Sequence, residues 1–170
     1  MRLSVTGALL LAALHLLPPA PAAAADPLAW PNVGPHVDPA LRGVLQEAAV
    51  RLANPSCAAL LHDFVDSRTG RPLAGTLASS GLDREGWLRS LYFLNGNGRT
   101  GCVDGRTLAY TPVGSPVVWV CPLGLAKMRM STRGMAANVL IHEVLHSLGL
   151  SENPPSSEEI SLQVRIRCGM

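Results

Sequence analysis

His142-Glu143-Val144-Leu145-His146 places two imidazoles and a carboxylate in one short segment whose other residues are apolar. On a helix, residues four apart share a face, so His142 and His146 can reach one ion together. Glu143 stands about 100° round the axis from His142. From there it can reach a water beside the ion without taking a ligand position. Zinc binds imidazole well, and a catalytic zinc site uses three protein ligands and keeps a fourth position for water. Such a site lowers the pKa of its water to about 7, and a neighbouring carboxylate can take the proton as a carbonyl is attacked. The pattern therefore predicts a Zn2+ cofactor held by His142 and His146, with Glu143 as general base.

The flanking residues support a site over a chance pairing of polar groups. Val139, Leu140, Ile141, Val144, Leu145 and Leu148 surround the motif, and unpartnered polar groups in such company are costly. Gly149 suits the left-handed turn that ends a helix. Glu152 follows three residues later.

Written out, His142-Glu143-x-x-His146-x-x-Gly149-x-x-Glu152 resembles the extended zinc motif of metzincin metallopeptidases, a branch of the zincins. In that family the glycine turns the chain beneath the metal, and the residue three further on supplies the third ligand. The residue there is usually histidine, and in snapalysin-type enzymes aspartate. The resemblance makes Glu152 the third ligand, and carboxylate is an accepted zinc ligand. It implies a zincin-like domain and a secreted metallopeptidase acting on a peptide or protein substrate. Glu158 and Glu159 are rival third ligands, in the manner of gluzincins, and His36 and His62 are more distant candidates. Metzincins also carry a methionine turn; Met170 is the one methionine after the motif, and it is not given that role.

A helix needs a framework, and the rest of the chain is read for one. Arg2, an apolar run from Gly7 to Leu17, a proline-rich break and Ala23-Ala24-Ala25 have the order of a secretory signal peptide over residues 1–25. The run is too short to span a bilayer, so residues 26–170 are expected as one exported domain, monomeric and off the membrane. Without Arg2 the 14 basic residues become 13, against 12 acidic ones. No basic run suggests nucleic acid. Four cysteines in an exported chain read as two disulfides. Three pairings are open; because Cys102 and Cys121 flank an expected hairpin, Cys102–Cys121 with Cys57–Cys168 is favoured.

The expected fold class is α+β: an active-site helix packed on a small β-sheet or hairpin, stapled by disulfides. Residues 26–37 read as an extended, proline-rich arm. Asp38-Pro39 opens a helix to about Ala53 with Leu41, Val44, Leu45, Ala48 and Leu52 inward. An apolar segment over 57–64 follows, and 67–81 reads as loop. Asp83 caps a second helix to about Phe93, with Trp87, Leu88, Leu91 and Tyr92 facing inward. Residues 107–111 and 117–121 form a hairpin, and 117–120 serves either as a core strand or as the edge along which a substrate pairs. The stretch 123–130 gives no clear pattern. Ser131 or Thr132 opens the active-site helix to about Leu148, and Ser156 with Glu159 forms a capping box for a last helix.

Phe93-Leu-Asn-Gly-Asn-Gly-Arg99 resembles the core of the Fic adenylyl-transfer motif. The catalytic histidine of that motif is replaced by Leu91, its acidic residue by Asn95 and its last arginine by Cys102. The segment is read as a glycine-rich turn. Beside the peptidase, a second class stays open: an exported, non-catalytic binding or structural module with a structural zinc site, marked by a fourth ligand and no cleft at Glu143.

Overall fold

The computed structural model describes residues 30–129 and 133–169. Within them the chain is a mixed α+β domain with seven α-helices, one short 3-10 helix (Thr100–Cys102) and three strands. The expected signal peptide over residues 1–25 and the expected helix start at Ser131 or Thr132 lie outside the described residues. So does Met170.

Helix α1 (Leu41–Ala53) buries all five stripe residues, as their spacing predicts. It starts two residues later than Asp38-Pro39 suggests. The Asp38 carboxylate instead accepts from Ala40 N at 2.8 Å and holds the tight turn that leads in. Asn54 ends α1 and caps α2 (Pro55–Asp63), accepting from Ser56 N at 2.9 Å, with Pro55 at the first position. Two readings are corrected. Residues 67–81 are not all loop: α3 (Leu73–Ser79) forms there because Leu73 and Leu77, four apart, both bury. Helix α4 (Arg84–Ser90) is shorter than expected and gives way at Leu91 to strand β1 (Tyr92–Asn95). Phe93 is better buried in the sheet, at 1 % exposure, and Tyr92 turns outward at 50 %. Asp83 caps α4 through Gly86 N at 2.7 Å, as expected.

The sheet order is β1-β3-β2. Strand β2 (Ala109–Tyr110) runs antiparallel to β3 (Val117–Val120), so the hairpin is present, though its first strand is two residues long. β1 joins β3 in parallel, Tyr92 opposite Val117 through Asn95 opposite Val120. β3 is thus paired on both sides, and the role of substrate-pairing edge does not fall to it. The outer side of β1 meets the lead-in arm: Phe93 N donates to Asn32 O, and Gly34 N to Phe93 O, both at 2.9 Å. Helix α5 (Pro122–Arg129) occupies the stretch that gave no pattern. Helix α6 (Arg133–Ser147) packs against α1 and α7 (Ser157–Cys168).

Both disulfides are the favoured ones, Cys57–Cys168 and Cys102–Cys121. The first ties α2 to the end of α7. The second lies under the glycine-rich turn, where a Cβ on Gly96 would come within 2.5 Å of Cys102 Sγ and 3.1 Å of Val120 O. That close approach gives Gly96 a structural reason to be glycine. Among the described residues no helix is long and apolar enough to cross a membrane.

Candidate metal centre

Helix α6 is buried along the motif: His142, Glu143 and His146 are each 5–6 % exposed. The helix ends in a reversal. Leu150 N donates to Leu145 O at 3.1 Å and Gly149 N to His146 O at 2.9 Å, with Gly149 at φ 113°. These bonds satisfy carbonyls that a helix end leaves open. Gly149 is needed for a second reason, because a Cβ there would overlap the Asp66 carboxylate. Asp66 is buried and paired with Arg68 at 3.0 Å, and the Arg68 guanidinium beside it holds its carboxyl below the usual range. The next residue, Ser67, fixes Gly149 O with its backbone N–H (2.9 Å) and hydroxyl (3.0 Å). The loop 66–68 therefore clamps the turn that sends the chain back under α6.

That turn returns Glu152 to the histidines. Glu152 Oε1 lies 3.4 Å from His142 Nε2 and 3.3 Å from His146 Nε2, and the two Nε2 atoms are 2.9 Å apart. His142, His146 and Glu152 each offer a ligand atom within 4.8 Å of the others. This is a zincin-type His–His–Glu arrangement able to hold a metal ion. The rivals stand elsewhere. Glu159 is engaged in the capping box, accepting from Ser156 N at 2.7 Å while its own N–H donates to Ser156 Oγ at 3.2 Å. Glu158, His36 and His62 are not in the cluster.

The donor set fits a cation on physical grounds. His146 Nδ1 lies 2.8 Å from Leu150 O, and a carbonyl only accepts, so Nδ1 carries the proton and Nε2 presents a lone pair. His142 Nδ1 lies 3.1 Å from Ser161 Oγ on α7, and its Nε2 also points into the cluster. The Glu152 oxygen converges on the same point, and with His142 in its Nδ1–H form a central positive ion meets three lone pairs. Burial, joined by the nearby His146, pushes His142 down to about 4, so it stays a neutral ligand well into the acid range.

Glu143 is built differently. Its Oε2 is buried and has no hydrogen-bond partner among the described residues. Burial raises its carboxyl to about 8, against the opposing influence of Thr111. Both residues line a cleft of about 560 Å³ bounded by residues 106–113, α6, Glu152 and the start of α7. A groove of similar size, about 530 Å³, lies between α2 and α3, but shares no residue with the cluster and holds no carboxylate. Size does not separate the two; chemistry does.

Several supporting residues carry no motif. Ser161, Thr111, the Asp66–Arg68 pair and the Leu150 carbonyl come from four separate segments. Trp87 Nε1 donates to Ser147 Oγ at 2.9 Å and steadies the end of α6. Only the Gly149 turn had a signal in sequence, because its glycine follows the helix pattern. Compared with protein-family models, with curated proteins and with solved structures, the chain matches none.

Proposed function

We propose that this chain is a secreted zinc-dependent metallopeptidase. The observation that carries the reading is a three-ligand cluster beside a cleft, with a second carboxylate, Glu143, buried next to it and left out of the ligand set. Bound zinc supplies Lewis acidity, polarising a substrate carbonyl and making a water more acidic. Glu143 accepts the proton from that water and passes it to the departing amine. In the metal-free chain burial raises its carboxyl to about 8, and the positive charge of zinc beside it would favour the ionised form that a base needs. Leu150 O and Ser161 Oγ hold the two imidazoles by their Nδ1 atoms. β2 is the terminal strand of the described sheet and flanks the cleft, so its free edge offers backbone groups to an extended peptide.

Residues 1–25 act in this proposal as a signal peptide, and the two disulfides suit an oxidising destination. The mature chain works as a monomer. A purely structural zinc site has four protein ligands; three are found among the described residues, and a cleft adjoins Glu143. Both features favour catalysis over the non-catalytic module. Glu143→Gln tests the role of the base. Peptide hydrolysis should fall by about 100-fold or more with zinc content unchanged; equal activity in the variant would exclude Glu143 as base.

A further inference from the structure

The two histidines are held in unlike ways. His146 Nδ1 faces a backbone carbonyl, Leu150 O, within the same turn. His142 Nδ1 faces a side chain from another element, Ser161 Oγ of α7, 19 residues on in sequence. A carbonyl only accepts, so it fixes one tautomer. A hydroxyl both donates and accepts. Ser161 can therefore meet either His142 tautomer, including the Nδ1–H form that leaves Nε2 free for an ion.

The placement of Ser161 is not incidental to a loose helix. Its neighbours Ile160 and Val164 are fully buried. α7 is closed at its start by the capping box and tied at its end to α2 through Cys57–Cys168. Arg167 pairs with Asp63 of α2 at 2.8 Å, and buried Arg51 of α1 donates to Gly169 O at 2.6 Å. Arg51 also donates to Asn138 Oδ1 of α6 at 2.8 Å, so one guanidinium locks α7 to the metal-site helix. A hydrogen bond 3.1 Å long on so braced a helix can set a ring's orientation.

We infer that Ser161 is a positioning residue for the metal centre: it orients the His142 imidazole through Nδ1, so that α7 contributes to metal affinity without supplying a ligand. The inference rests on the metal-site reading above, and its test separates the two. Ser161→Ala and Ser161→Val remove the hydroxyl; Ser161→Thr keeps it, and Val and Thr share a shape. Leu162→Ala, on the exposed side of α7, is the control. Zinc dissociation constants are measured by chelator competition on the full mature chain, and the His142 ring nitrogens are followed by 15N NMR in metal-free protein.

The expected result is tenfold or more weaker zinc binding in the Ala and Val variants. Thr should lie within about threefold of wild type, and Leu162→Ala should be unchanged. The His142 Nδ1 resonance should move in the Ala and Val variants while that of His146 stays in place. Zinc binding within twofold of wild type in both, with the His142 signal unmoved, overturns the inference. Should the wild type bind no zinc, the metallopeptidase reading fails, and the NMR arm still decides: a shift confined to His142 upholds the orienting contact, and its absence refutes it.

Discussion

Replacing Glu143 by Gln in metal-free protein should change how stability depends on pH. In the folded chain burial lifts Glu143 from 4.5 to about 8. Once the pH passes about 4.5 the unfolded chain has released this proton, while the folded chain keeps it until about 8. Fewer protons on the unfolded state mean that stability falls as pH rises through this window, and the slope ends above about 8. Each pH unit is worth about 1.4 kcal/mol, so the full window has an upper bound of ~5 kcal/mol. Relaxation around the ionised carboxylate reduces that to roughly 2–4 kcal/mol. Gln has no proton to lose. The variant should therefore gain on wild type by that amount between pH 5 and pH 9, measured by urea unfolding with a chelator present. His142 titrates in the opposite sense: its lowered pKa gives stability that is present above 6.5 and lost as pH falls towards about 4. It does so in both proteins and cancels in the difference. Parallel stability profiles for the two chains would refute the burial argument.

Other substitutions probe the supports. Gly149→Ala imposes a side chain at φ 113° and against Asp66; it should cost about 2–4 kcal/mol in thermal or urea unfolding and weaken zinc binding by displacing Glu152. Cys57→Ser with Cys168→Ser removes the cross-link over a separation of 111 residues and should destabilise the chain by about 2–5 kcal/mol in urea. Trp87→Phe deletes the hydrogen bond to Ser147 and should cost about 1 kcal/mol, read as a lowered Tm with zinc stoichiometry intact.

The site was legible in sequence because its ligands follow local rules. The i, i+4 spacing of His142 and His146, the turn at Gly149 and the return of Glu152 all lie within eleven consecutive positions. The capping box at Ser156 and Glu159 was legible for the same reason, and it explains why Glu159 is engaged elsewhere. Both disulfide pairings followed from a hairpin argument that depended on one strong β-forming run. What stayed hidden depends on tertiary packing. α3 lies in a stretch of turn formers, and only the burial of Leu73 and Leu77 makes it a helix. Tyr92 and Phe93 continue a helical pattern, yet the parallel partner β3 draws them into the sheet. Thr111, Ser161 and Asp66 reach the site from distant segments, and single residues without spacing leave no pattern to read.

The most direct test of the central claim is zinc stoichiometry of the purified mature protein, with Glu152→Ala and Glu159→Ala beside the wild type. The account predicts one tightly held zinc per chain, lost or greatly weakened in Glu152→Ala and retained in Glu159→Ala, whose cost should be limited to about 1 kcal/mol of helix capping. A wild type that takes up no zinc after refolding with the metal, or one whose zinc survives the loss of Glu152 and leaves with Glu159, would contradict it.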